Sequence, residues 1–359
     1  MDEFARRPAD DRRAFIQEAA NRRNLTDAII EKDFWVCWTL RRLVRCKELN
    51  GHFTFKGGTS LSKAYGIVQR FSEDIDLTID KNAPLVRDVP SPMEDGIGSN
   101  ERKRRTDALK AAAREYVTTL VMPALMAEIE AALGTAEGWQ VVPDPDDPDG
   151  QTLLFIYPRL ANYGQGFGRG GWGAGRFNEG EIGYIKPRIK LEFGARGDTE
   201  PSELKDITPW LAEAFPDDLP DAVSAIPTLA VVRTFWEKAT ILHALHHNGK
   251  LRDGMSRHYY DMLMLAQNGI AGEALQQPEL LARVARNKSL MFADASASYG
   301  TAVIGSLRLV PSEETRARLK ADYENMAEMF MVAPPAFEDL WTGIEQLEDR
   351  LNKRAELGL

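Results

Sequence analysis

Residues 55–79 read FKGGTSLSKAYGIVQRFSEDIDLTI, and this stretch decides the fold. His52 to Lys56 alternates in β-type residues and predicts a short strand; Gly57 and Gly58 break it, and Thr59 is placed to cap a helix running to about Tyr65. From Asp74 to Ile79 the alternation returns, with Ile75, Leu77 and Ile79 on one face and Asp74 and Asp76 on the other. Two carboxylates held side by side repel each other unless a cation joins them. Magnesium, or manganese in its place, is the expected cation because it takes hard oxygen ligands and bridges nucleotide phosphates. The free N–H groups of the helix that opens after the glycines form a seat for phosphate oxygens. A phosphate cradle facing a metal pair is the layout needed for attack on an α-phosphate. Gly-Gly or Asp-x-Asp alone is common; strand, Gly-Gly-Thr-Ser, helix and Asp-x-Asp strand in this order is much rarer by chance.

Working outward, residues 9–24 and 27–46 predict helices, the second with a broad apolar surface built from Ile29, Ile30, Phe34, Val36, Trp38, Leu40 and Leu43. Residues 101–133 predict two helices broken near Pro123. Thr152 to Tyr157 is a candidate strand, and the Gly-rich 163–180 a hairpin loop. Tyr184 to Phe193 alternates, with Ile185, Ile189, Leu191 and Phe193 on one face and Lys186, Arg188, Lys190 and Glu192 on the other. That charged face is either a solvated sheet edge or part of a site. Pro201, Pro209, Pro216, Pro220 and Pro227 suggest a domain boundary. Beyond it lie helical stretches at about 228–247, 256–268, 278–289, 312–331 and 336–354. The expected organisation is a domain over 1–205, a Pro-rich linker over 206–227 and a helical domain over 228–359.

The 359 residues, 43% hydrophobic and 28% charged, are enough for two modest cores. A net charge of −9 argues against coating a polyanion with the whole surface, while a local basic groove stays open. No run approaches the eighteen or so consecutive apolar residues of a membrane span, and the charged N-terminus lacks the apolar core of a secretory signal. Cys37 and Cys46 lie far apart along one expected helix, which speaks for a reducing cytoplasm and against a cysteine zinc site.

Residues 55–79 resemble the signature of the DNA polymerase β-type nucleotidyltransferases and, more narrowly, that of the AbiEii/AbiGii toxin family, which includes MenT-like proteins. Glu31-Lys32-Asp33-Phe34-Trp35 matches the family's Glu-Lys-Asp-aromatic helix, and Arg70, Ser72, Asp74 and Asp76 its Arg-x-Ser-x-Asp-x-Asp block. Lys190-Leu191-Glu192 is similar to its third-carboxylate strand, RTFWEK at 233–238 to its Glu-Lys helix, and RHYYD at 257–261 to its late Arg-x-x-x-Asp motif. The spacing between Gly58 and Asp74 is longer than in the superfamily at large but ordinary for the toxin branch. The resemblance implies an α+β fold: a polymerase β-type nucleotidyltransferase core, with a mixed β-sheet flanked by helices, and a C-terminal helical domain contributing to the nucleotide site. It further implies transfer of NMP from an NTP to an acceptor, favouring the 3′ end of tRNA, with growth arrest as the outcome and an antitoxin encoded alongside.

Asp74 and Asp76 are expected to hold the metal. Glu192 either completes that set and helps deprotonate the incoming hydroxyl, or neutralises Lys190 or Arg188. Gly57, Gly58, Thr59, Ser60, Ser72 and Lys190 are expected around the nucleotide. Lys63, one turn beyond Thr59, either reaches the phosphates or is an ordinary surface lysine. The resemblance makes Lys238 a triphosphate ligand and Asp261 essential; an interhelix ion pair between them is the plainer alternative. His243, His246 and His247 have a zinc-compatible spacing, but a polar helix end explains them more simply. The arginines and aromatics of 163–190 suit unpaired RNA bases, or are a solvated face. Two other functions stay open: NMP transfer to a protein or small molecule, and nucleotide binding without turnover.

Overall fold

The structure, a computed structural model, describes residues 1–72, 74–160 and 186–353. The expected 163–180 hairpin and its RNA contact lie outside the described residues. The strands are β1 (Phe53–Lys56), β2 (Asp74–Ile79), β3 (Gln140–Pro143), β4 (Thr152–Ile156), β5 (Ile189–Gly194), β6 (Ser202–Ile207) and β7 (Ser224–Leu229). They form a 7-stranded mixed sheet in the order β3-β4-β5-β2-β1-β7-β6. β1 and β2 are antiparallel neighbours, while β1 with β7 and β2 with β5 run parallel. The motif strands therefore lie at the sheet's centre, where both neighbours fix their register.

The helix Asp27–Arg45 covers this sheet. Trp35 and Trp38 are fully buried and pack on Phe155 and Tyr157 of the β4 region, with Trp35 stacked on Tyr157 at 5.4 Å and Trp38 on Phe155 at 5.9 Å. Such pairs add about 0.5–1.5 kcal/mol each beyond their buried area. Thr26 caps this helix through its side chain.

The helices Val231–Asn248, Ser256–Gln267, Pro278–Met291, Glu313–Asn325 and Phe337–Lys353 pack around a second apolar core, separate from the core under the sheet. This α+β architecture, a mixed sheet flanked by helices beside a helical lobe, is the expected one. Two side chains of the motif region, Leu61 and Val68, belong to the helical lobe's core. Residues 69–71 also pair with 329–331: Phe71 N–H donates to Met329 O at 2.6 Å and Met331 N–H to Gln69 O at 3.1 Å. The helix expected over 312–331 ends early, at Asn325; a 3-10 turn, Ala327–Met329, follows and leads into the bridge between Phe330 and Arg70.

Two expectations need correction. The stretch 206–227 is no linker: it carries the end of β6, the helix Trp210–Ala214 and most of β7, which lies inside the sheet between β1 and β6. The prolines that suggested a boundary sit at turns or, for Pro227, in β7 itself opposite Leu204. The break at Pro123 is a local π-helical segment, Val117–Val121, between the helices Ser99–Tyr116 and Met122–Leu133. Proline's missing N–H falls just after the widened turn, where the helical ladder is already disrupted. This long helix has the length and hydropathy of a membrane span, yet Leu109, Tyr116, Val121, Leu125 and Ile129 are buried in the sheet's core.

Candidate active site

The chain turns from β1 straight into the helix Gly57–Lys63, whose N-cap is Lys56. Gly57 has φ +83°, and a Cβ there would stand 2.0 Å from Asp76 Oδ2; a Cβ on Gly58 would stand 2.4 Å from Arg70 Nη2. Both glycines are therefore required: the first for its left-handed backbone and both for the close approach of functional side chains. Thr59 is not the cap. It lies inside the helix, fully buried, and its hydroxyl donates to the Asp74 carbonyl. Ser60 is likewise buried, donating to Gly57 O at 2.8 Å. Their side chains brace the turn and leave the phosphate seat to the backbone.

The β2–β5 register sets Asp74 beside Lys190 and Asp76 beside Glu192, while β1 sets Lys56 beside Asp76. Asp74, Asp76, Glu192, Gly57, Gly58 and Ser72 all line one cleft of about 210 Å³. Burial, then repulsion from Glu192, pushes the Asp76 carboxyl up to about 7, with Lys56 opposing and Asp74 adding to the rise. Glu192 Oε1 meets Lys190 Nζ at 2.5 Å, and at 40% and 35% exposure both remain accessible from solvent. Among the described residues no three acidic, histidine or cysteine side chains close into a ready cage. The donor chemistry of the carboxylates nonetheless suits a hard divalent cation: oxygen ligands, including a carboxyl raised by burial and then by its neighbours' charge.

The opposite wall comes from the helical lobe. Asp261, fully buried, accepts from Arg70 Nε and Nη2, both at 2.8 Å, and from Lys238 Nζ at 2.7 Å. Burial alone would raise its carboxyl; Arg70 and Lys238 outweigh that and hold it well below the usual carboxylate range. Burial, opposed by Asp261 and reinforced by Arg70, lowers Lys238. His258 Nδ1 lies 3.5 Å from Lys238 Nζ, and burial with the charges of Lys238 and Arg257 keeps the ring neutral at pH 7. The ion pair expected between Lys238 and Asp261 is real, and Lys238 lines the cleft as well. Asp261 is not among the cleft's lining residues; it acts through Arg70 and Lys238.

Lys63 is not at this site. Its ammonium pairs with Asp33 at 2.6 Å, both side chains buried, and lies 4.3 Å from the centre of the Trp210 ring. Burial would lower it, but Asp33 dominates and raises it. Lys56, Arg257, His258, Glu237 and Lys288, none of them a candidate from the sequence, also line the cleft. Glu237 and Arg257-His258 were within quoted motifs; Lys288, from a helix with no motif, gave no sequence signal. The three histidines form no metal site: His243 bonds Ser298 O at 3.1 Å and accepts from Arg308 N–H at 3.1 Å, and His246 meets Val310 O at 2.6 Å.

With this geometry in place, comparison with known families is decisive. Residues 38–345 match the AbiEii family, described as the nucleotidyl transferase AbiEii toxin of type IV toxin–antitoxin systems. The chain belongs to the AbiEii toxin family. It is a nucleotidyltransferase, the toxin of a type IV toxin–antitoxin system, and its family implies a cognate antitoxin. The AbiEii match spans the Gly-Gly turn, both aspartates, Glu192, Lys238 and Asp261. Among solved structures this AbiEii chain resembles MenT4, the nucleotidyltransferase toxin Rv2826c from Mycobacterium tuberculosis H37Rv, at 17% identity and a TM-score of 0.44, covering 94% of this chain and 97% of that one. None of the curated proteins compared with it is a significant match.

Proposed function

We propose that this toxin transfers NMP from an NTP to the 3′ end of tRNA in the cytoplasm, with magnesium or manganese, and thereby arrests growth. The observation that supports it is the meeting of the Asp74–Asp76 strand, the Gly57–Gly58 helix start and the Lys238 wall around one cleft. Asp74 and Asp76 would hold the metal, with Glu192 beside them. Bound there, the ion would supply Lewis-acid polarisation of phosphate oxygens and a more acidic acceptor hydroxyl.

The chain's own groups do the rest. The N–H groups at the start of the helix Gly57–Lys63 meet phosphate oxygens, and the Lys238, Arg257, Lys56 and Lys288 side chains supply positive charge to a triphosphate. Asp261, itself fixed by Arg70, holds Lys238 in place, so little reorganisation is needed when charge develops. The acceptor hydroxyl oxygen bonds to the α-phosphorus, the bond from that phosphorus to the β-phosphate oxygen breaks, and pyrophosphate leaves. Glu192, beside Asp76 and accessible, is placed to take the hydroxyl proton.

The test is incubation of purified toxin with each of four α-labelled NTPs, magnesium and total tRNA. Label on tRNA supports the proposal. Label on protein or a small molecule would reassign the acceptor, and nucleotide binding without any transfer would reduce the protein to a binding module.

A further inference from the structure

A second cavity, of about 260 Å³, adjoins the first and shares Lys56, Asp76 and Glu192 with it as a common wall. Its far side is built by the turn after β3, by the segment following β5 and by the end of the helix Pro278–Met291: Asp147 and Asp149, Arg196, and Phe292 line it. None of these belongs to the motif residues, and the transfer chemistry described above uses none of them. A group-transfer enzyme must hold two substrates on opposite sides of the reacting phosphorus. The Gly-Gly helix start and Lys238 lie on the first cavity only, so the triphosphate belongs there and leaves the second for the other reactant.

The chemistry of the second cavity says what that reactant presents. Asp147 and Asp149, with Asp76 and Glu192 of the shared wall, outnumber Lys56 and Arg196. Asp147 is fixed by backbone N–H groups of Asp149 and Gln151 at 2.9 and 2.7 Å and by the Thr152 hydroxyl at 2.8 Å. Asp149 pairs with Lys110 at 3.0 Å and faces Arg196 at 3.6 Å. These fixed carboxylate oxygens are acceptors, and they suit a reactant that presents hydroxyl donors. Beside it the half-buried Phe292 ring carries the Arg196 guanidinium at 4.4 Å and the Lys288 ammonium at 4.8 Å from its centre, and the planar guanidinium offers a surface on which a flat ring can stack. We propose that this cavity is the acceptor subsite, and that it takes the terminal nucleoside of an RNA, with ribose hydroxyls toward the carboxylates and the base on the Arg196–Phe292 stack. The inference rests on the nucleotidyl-transfer reading and adds to it where the acceptor binds and through which residues.

The test uses the full chain with Phe292→Ala and Phe292→Tyr, a hairpin RNA with an unpaired 3′ end as acceptor, and binding of an α,β-methylene NTP as the donor-side readout. Loss of one base stack is expected to raise the acceptor KM of Phe292→Ala about tenfold. The analogue's Kd should be unchanged, which also reports a folded donor site, and Phe292→Tyr should restore the acceptor KM. An unchanged acceptor KM, or equal losses in acceptor KM and analogue affinity, would overturn the subsite while leaving nucleotidyl transfer intact. Wild-type toxin that binds the analogue but labels no RNA would overturn both together.

Discussion

At Asp261 a single buried carboxylate takes short contacts from two cations, Arg70 at 2.8 Å and Lys238 at 2.7 Å. Removing it takes the shared carboxylate away from both buried cations. Asp261→Ala is therefore expected to lower unfolding free energy by about 3–5 kcal/mol in urea titrations and to abolish transfer, whereas Lys238→Met, which removes one cation and keeps the Arg70 pair, should be milder in stability and just as inactive. Asp76 makes the opposite trade. Its carboxyl is raised to about 7 by burial and by Glu192, so the folded state holds a proton that the unfolded chain releases near the ordinary aspartate value. Its contribution to the metal-free protein is thus most favourable below that ordinary value and is lost progressively as pH rises to about 7. Magnesium competes with that proton, so its affinity should climb through the same window and level off above it. Calorimetric titration at pH 6 and pH 8 should show about tenfold tighter binding at the higher pH, and Asp76→Asn should remove the difference. Equal affinities at the two pH values would mean that Asp76 does not bind the ion.

Among the elements, the helix Asp27–Arg45 carries more of the site's geometry than its distance suggests. Glu31 accepts from Leu160 N–H at 2.9 Å, Lys32 donates to Lys186 O at 2.7 Å, and Asp33 takes the Trp210 N–H at 2.7 Å as well as Lys63. Consecutive residues on one helix thus grip the chain after β4, the chain before β5 and the helix following β6. Lys63→Met should leave Asp33 buried without its partner and cost about 3–5 kcal/mol in unfolding free energy, while the Kd for an NTP analogue stays at the wild-type value. A rise in that Kd with stability unchanged would return Lys63 to the phosphate site. This helix also marks how far the sequence could be read. Hydrophobic period located it, β1, β2 and the five long helices of the second lobe, and the alternation of Asp74 and Asp76 put both carboxylates on the face that lines the cleft. Proline punctuation hid β7, because tertiary pairing with β1 and β6 overrode the local signal. Short strands such as β3 lacked a pattern of their own. Spacing puts Thr59, Ser60 and Lys63 near the turn but does not show which way their side chains are buried. Lys288 entered the cleft through lobe packing that no local motif encodes.

Across the whole molecule, the candidate cleft is assembled from two lobes with separate apolar clusters. The joint between them is the segment 69–71: its backbone pairs with 329–331 and its Arg70 reaches Asp261. An NTP that binds this cleft spans both cores, so a saturating analogue at about 100 times its Kd should stabilise the whole chain by about 2.7 kcal/mol, as a single shifted transition. Two transitions, only one of them shifted, would show that the cleft belongs to one lobe alone. The transfer chemistry itself is tested most directly by the position of the label: toxin, magnesium and an unpaired-end RNA are given the same NTP labelled at either the α- or the γ-phosphate. The expected result is α-label on the RNA, γ-label released only as pyrophosphate, and neither event with Asp74→Asn. γ-Label on the acceptor, or α-label transfer undiminished in Asp74→Asn, would contradict a nucleotidyl transfer centred on Asp74 and Asp76.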